Sequence, residues 1–198
     1  MSLILDLLFP PTDLACLNLL PTQPVKYLPH RSLDGVISIF KYQGPVKKTL
    51  IDLKFNFVSE LASRLAIIAA NRVLLDFPNI LHYWQENNFV LVPVPLHPSR
   101  QNWRGFNQSE LICRHLSSSL NLDYQPNILI RSKNTRPQTK IKDKLLRQSN
   151  LVASFKLLHH QFSHVILVDD VYTTGATLTS AASVFPEKSN LWGLTIAG

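Results

Sequence analysis

The chain is poor in cysteine, and that scarcity excludes more than any residue it contains. Two thiols, Cys16 and Cys113, stand in 198 residues. They provide neither a disulfide framework nor a four-thiol metal site. No apolar run approaches the roughly 20 residues that a membrane span needs. The start, Met1 to Asp6, lacks a basic n-region, and an acid interrupts its apolar stretch. It does not read as a secretory signal. Neither an internal repeat nor a low-complexity segment is evident. Acids are outnumbered as well: 13 Asp and Glu face 20 Lys and Arg, a formal charge of +7. These absences predict a soluble cytoplasmic protein with no membrane partner, of one domain or one domain with a small appendage. The charge favours polyanionic partners, either pyrophosphate-bearing metabolites or nucleic acid.

The most informative stretch runs from Val165 to Leu178. It opens with an apolar, β-branched run suited to a buried parallel strand. Asp169 and Asp170 end that run. A bend of Tyr172, Thr173, Thr174, Gly175 and Ala176 follows, and from Ala176 the residues Leu178, Ala181, Ala182 and Phe185 recur at helical spacing. Backbone amides in such a bend can hold an anion. Thr173, Thr174 and Thr177 add hydroxyl donors, and Gly175 permits a turn that a Cβ would hinder. Ionised carboxylates only accept hydrogen bonds, so Asp169 and Asp170 suit the vicinal hydroxyls of a ribose rather than its phosphate. Phosphate at one end and diol at the other describe a ribose 5-phosphate.

The rest of the chain predicts an alternation of strands and helices. Residues 1–34 are proline-rich and read as an extended or weakly helical arm. Gly35 to Tyr42 is a strand candidate. A helix follows, with Val46, Leu50, Leu53 and Phe57 on one face, and the period resumes through Leu61, Leu65 and Ile68. Lys47, Lys48 and Lys54 in the first of these helices read as a solvated face. Residues 76–88, containing Pro78, read as a loop-rich connection. Phe89 to Val92 is a buried strand that a proline-rich segment ends. Arg100 and Arg104 then fall on a loop ahead of a helix whose start is marked by Asn107 and Glu110 at capping-box spacing. Two guanidinium groups beside a helix start predict a second anion site. Ile128 to Ile130 is a short strand. Residues 131–147 form a strongly basic loop, suited to neutralising a leaving group or to holding a nucleic-acid backbone. His159, His160 and His164 lack metal-ligand spacing. Residues 191–197 close the chain as a strand.

The string at residues 168–177, Val-Asp-Asp-Val-Tyr-Thr-Thr-Gly-Ala-Thr, resembles the signature of type I phosphoribosyltransferases, which bind phosphoribosyl pyrophosphate (PRPP). Residues 94–100, 104–108 and 136–139, Arg147 with Asn150, and the segment from Tyr42 to Phe55 resemble the competence protein F (ComF/GntX) family. The resemblance covers roughly residues 35–198. It implies an α/β fold, a mostly parallel sheet with helices on both faces and ligands at the carboxyl ends of the strands. It also implies PRPP binding by Asp169, Asp170, Thr173, Thr174, Gly175, Ala176 and Thr177, with Mg²⁺ accompanying PRPP near the two aspartates and Arg100 and Arg104 on the pyrophosphate. Many members begin with a four-cysteine zinc ribbon. Here only Cys16 lies in that region, so residues 1–34 read as a degenerate remnant with no zinc expected.

Two readings follow. The first is a phosphoribosyltransferase-like protein acting in DNA uptake during natural transformation, its acceptor unspecified. The second is a non-catalytic protein on the same scaffold that senses PRPP or a nucleotide, or binds single-stranded DNA. A partnership with the DNA-uptake machinery is suggested by the resemblance alone.

Overall fold

The computed structural model describes residues 33–55, 60–132, 154–158 and 161–198. The arm before Leu33, most of the basic run after Arg131, Phe57, Arg147, Asn150, His159 and His160 lie outside the described residues. Five parallel strands form the sheet in the order β1-β7-β6-β2-β3, where β1 is Gly35–Phe40, β2 Val90–Pro93, β3 Asp123–Tyr124, β6 His164–Val171 and β7 Asn190–Ala197. A separate antiparallel pair joins β4, Leu129–Arg131, to β5, Phe155–Leu157. This is the mostly parallel α/β architecture that the alternation of elements predicts.

The central strands are buried on both faces, which is why they read as continuous apolar runs. Side chains of alternate parity enter different cores. Ile37, Leu91, Ile166, Val168, Leu194 and Ile196 pack into the larger one with the helices α1 (Gly44–Phe55), α2 (Glu60–Asp76), α3 (Pro78–Glu86) and α5 (Gln108–Leu120). Val36, Val90, Val92, Val165 and Leu167 pack into the smaller one with α6 (Ala176–Ala182) and with Leu129 and Phe155 of the β4–β5 pair. Each fully buried aliphatic side chain contributes about 1.5–3 kcal/mol. The buried face of α2 carries Ala62, Ala66, Ala69 and Ala70, small residues that let it lie close against α5.

Two segments differ from expectation. Residues 78–86 are helical, not loop: Pro78 sits in the first turn, where its missing N–H costs nothing, and Leu81 and Trp84 anchor the helix in the core. Trp84 meets the Trp192 ring edge-on at 5.5 Å. Likewise Arg100 and Arg104 lie on a short helix, α4 (Pro98–Arg104), rather than on a loop. Pro98 opens it, His97 Nδ1 accepts from the Ser99 amide at 3.2 Å, and Gly105 ends it at φ 77°. Among the described residues, no helix is long and apolar enough to cross a membrane.

Candidate functional site

The carboxyl ends of β2, β4 and β6 and the last turn of α1 converge on the two aspartates. Asp169 is half-buried. Its Oδ1 accepts from the Asp170 amide at 2.9 Å and from Ser109 Oγ at 3.2 Å, and no described residue bonds its Oδ2. Burial, and then the neighbouring Asp170 charge, raise the Asp169 carboxyl to about 7; the Asp170 amide, Lys54 and Ser109 pull the other way.

Asp170 is held differently. Its Oδ2 lies 2.8 Å from Lys54 Nζ, with the two side chains only 11% and 19% exposed. Lys54 is therefore not part of a solvated face. The reading of α1 as a lysine-bearing surface holds for Lys47 and Lys48, which are exposed, and fails for Lys54. A lysine one helical step from the buried Leu53 is the kind of side chain whose stem follows apolar surface while its head reaches a charge. Helical phase, which places Lys54 beside the buried stripe, was the available signal.

The bend after β6 exposes Thr173 and Thr174, while Ala176 and Thr177 are half-buried at the start of α6. Gly175 takes φ 74°, and a Cβ there would stand 2.6 Å from Tyr172 Oη. No side chain caps α6 at Gly175; the Ala176 amide makes a long bond of 3.4 Å to Thr174 Oγ1. The sequence-predicted loop is thus present as a turn between β6 and α6 that is exposed at Thr173 and Thr174.

Two guanidinium groups act electrostatically on the acid pair, Arg104 on Asp170 and Arg131 on Asp169, and Arg100 acts on both of those arginines. Arg104 is half-buried; burial lowers its pKa, Asp170 opposes that shift and Arg100 adds to it. Its Nε is buried without a hydrogen-bond partner among the described residues. Arg131 is shifted down by burial and by Arg100, and Asp169 opposes that shift. Arg131 is the last residue of β4, its guanidinium 5.2 Å from the centre of the Phe155 ring, rather than the opening of the basic loop. It joins Arg100 and Arg104 as a site cation that the sequence reading did not single out. A cavity of about 210 Å³ opens beside it, lined by Pro93, Pro95, Asn107, Glu110, Leu129 and Arg131 among others; the aspartates do not line it.

Asn107 ties the two halves of the site together. As the cap of α5 its Oδ1 accepts from the Ser109 amide at 3.2 Å, and its Nδ2 donates to the Val94 carbonyl at 3.1 Å. Glu110 does not close a capping box; it reaches Arg114 at 3.6 Å. Replacing Asn107 with alanine should cost about 1 kcal/mol in a denaturant titration, and should free Ser109 from its place beside Asp169.

Hard oxygen donors are what Mg²⁺ takes, usually through one or two carboxylates with several waters retained. The uncommitted Asp169 Oδ2 fits that requirement. Asp170 already has an ammonium partner. Among the described residues, no three His, Cys, Asp or Glu side chains gather into a metal cage.

No family model matches the chain. Several curated relatives do, of which three are described. A DNA utilization protein, YhgH, of Escherichia coli strain K12 is 34% identical over 154 residues, which is 75% of this chain and 64% of that protein. Competence protein ComFC of Bacillus subtilis is 34% identical over 152 residues, 76% of this chain and 58% of that protein. Competence protein F of Haemophilus influenzae is 37% identical over 116 residues, 54% of this chain and 50% of that protein. The chain thus spans less than two thirds of the length of these relatives. Its identity to proteins of both names over three quarters of its length, on a parallel sheet that carries the acid pair at a strand end, places the chain in the competence protein F (ComF) family.

Proposed function

We propose that this chain binds PRPP with Mg²⁺ at the carboxyl end of β6, and that it serves in the handling of DNA taken up by the cell. The second half of the proposal rests on the names of the relatives, competence protein and DNA utilization protein. The first rests on one observation: strand, paired carboxylates and threonine-glycine bend follow each other without a break over residues 165–177, with Arg100, Arg104 and Arg131 acting electrostatically on each other or on the pair.

Each group then has a task. Asp169 and Asp170 accept from the ribose hydroxyls. The amides and hydroxyls of residues 173–177 hold the 5-phosphate, and Arg100, Arg104 and Arg131 hold the pyrophosphate. Asp169, through its Oδ2, would hold Mg²⁺, which would supply charge neutralisation for the pyrophosphate. In phosphoribosyl transfer the bond from C1 of the ribose to the pyrophosphate oxygen breaks, the pyrophosphate leaves with the electron pair, and an acceptor lone pair takes its place at C1. Cations fixed around the leaving group stabilise the charge that develops there.

Calorimetry should show PRPP binding in the presence of Mg²⁺, weakened at least about tenfold by Asp169→Asn together with Asp170→Asn. The absence of any binding heat by the parent protein would remove the reading.

The Asp169 carboxyl adds a pH test. Ribose recognition needs the ionised form, so PRPP affinity should fall as pH drops below about 7, with a limiting slope of about tenfold per pH unit. Stability should move the other way. The folded chain holds a proton that the unfolded chain releases between 3.8 and about 7, so unfolding free energy declines as pH rises through that window. Asp169→Asn should flatten both trends, read as melting temperature and as binding constant across the same buffers.

A further inference from the structure

A ribose phosphate at the acid pair would leave the cavity beside Arg131 empty. Its volume, about 210 Å³, is below the ~300–1,000 Å³ of sites for drug-sized ligands. It therefore admits one ring or a fused pair and excludes a nucleotide. Neither aspartate lines it, nor does any residue of the bend from Thr173 to Thr177. It nevertheless lies close to them: Pro93, in its wall, pairs with Val168 in the β2–β6 ladder, one residue before Asp169.

Four prolines, Pro93, Pro95, Pro98 and Pro126, form much of that wall. A pyrrolidine ring fixes its own backbone torsion and offers no N–H. Such a wall is stiff, apolar and poor in donors, so it can receive the face of a ring with little loss of freedom. Gln101 and Asn127 also line the cavity, and both side chains are exposed. The Asn107 amide is engaged at both ends. Gln101 and Asn127 differ from it, since neither makes a side-chain hydrogen bond among the described residues. A carboxamide places a donor and an acceptor side by side, and so does the lactam edge of a heterocycle. Two such groups meet through a pair of hydrogen bonds. Charge points the same way. Glu110 and Arg131 give the lining one formal charge of each sign. An ionised ligand would surrender its hydration to a site that is neutral in sum, whereas an uncharged ring surrenders little.

We infer that this cavity is a second ligand pocket, which takes an uncharged planar ring whose lactam or amide edge is read by Gln101 and Asn127. The prolines receive the face of the ring and the two carboxamides its edge. The pocket is built from residues other than the aspartates and the bend, so it can be filled while a ribose phosphate is held at the acid pair.

The probe is oxindole, a fused planar ring with one lactam edge, titrated into the full chain and followed by amide NMR. The side-chain amide signals of Gln101 and Asn127 should shift and saturate at about millimolar concentration, as so small a ligand allows. Those of Gln85 and Asn87, which donate to the Leu120 and Tyr83 carbonyls, should stay in place. N-methyloxindole keeps the rings and lacks the N–H, and should bind at least about fivefold more weakly. Gln101→Ala with Asn127→Ala should weaken oxindole binding about tenfold. Both side chains are exposed, so the fold is retained, which circular dichroism checks. Absence of saturable shifts, equal binding of the two compounds, or unchanged affinity in the alanine pair would overturn the inference. So would displacement of oxindole by PRPP, which would make the cavity part of the acid site. A parent protein that takes up no PRPP would remove the earlier proposal and leave this one to stand on the oxindole titration.

Discussion

Lys54→Met should lower the unfolding free energy by about 2–3 kcal/mol and weaken PRPP binding by more than tenfold at neutral pH. The substitution keeps the apolar stem and removes the ammonium, so packing is nearly preserved and the loss reports on charge. Breaking a fully buried pair costs about 3–5 kcal/mol, because the remaining charge is stranded; the 11% and 19% exposure of these side chains places this pair somewhat lower. The effect on binding has a second source. Lys54 is among the groups that hold the Asp169 carboxyl down against burial and Asp170. Without it Asp169 titrates still higher, and at neutral pH the protonated acid offers a donor where the ribose hydroxyl needs an acceptor. Asp170→Asn in the same background should recover stability but not binding, since it removes the stranded charge and a ribose acceptor together. A Lys54→Met protein within about 0.5 kcal/mol of its parent would mean that the pair is as weak as a surface ion pair.

The second large effect is expected at Gly175. Gly175→Ala should reduce PRPP affinity by about 100-fold, a loss of about 2.7 kcal/mol in binding, and lower the melting temperature by several degrees. Alanine at φ 74° costs about 1–2 kcal/mol on backbone sterics. The added Cβ would also lie 2.6 Å from Tyr172 Oη and 2.8 Å from ring carbons. Tyr172 cannot easily withdraw: its ring is buried in the smaller core, and its amide donates to the Ala197 carbonyl at 2.7 Å. The bend must move instead, and with it the amides and hydroxyls proposed to hold the phosphate. Tyr172→Leu in the Gly175→Ala protein removes the clash and leaves the backbone strain, so affinity should return in part. Binding by Gly175→Ala equal to the parent would show that residues 173–177 are not the phosphate cradle.

Legibility followed the range over which each feature is encoded. The strand ending in Asp169 and Asp170 and the turn through Gly175 could be read because every residue involved is a near neighbour in the chain. The Asn107 cap was legible for the same reason. Helix α3 was missed because Pro78 reads equally as a breaker and as a first-turn residue, and only the buried Trp84 decides. Helix α4 was missed although Pro98 and Gly105 bracket it, because seven residues carry too little apolar period to be seen.

By itself the amino-acid sequence determined the alternation of buried strands and amphipathic helices, the acid pair at a strand end and the bend that follows it. Apolar periodicity and turn chemistry act over a few residues and need no partner elsewhere. Tertiary structure alone decided the company those acids keep. Ser109 reaches Asp169 from 60 residues away, and Lys54 and Arg131 arrive from α1 and β4. Which side chains face one another across a sheet depends on strand order and on how the helices pack. Burial in the two cores sets both, through a sum over dozens of side chains that no short stretch of sequence contains.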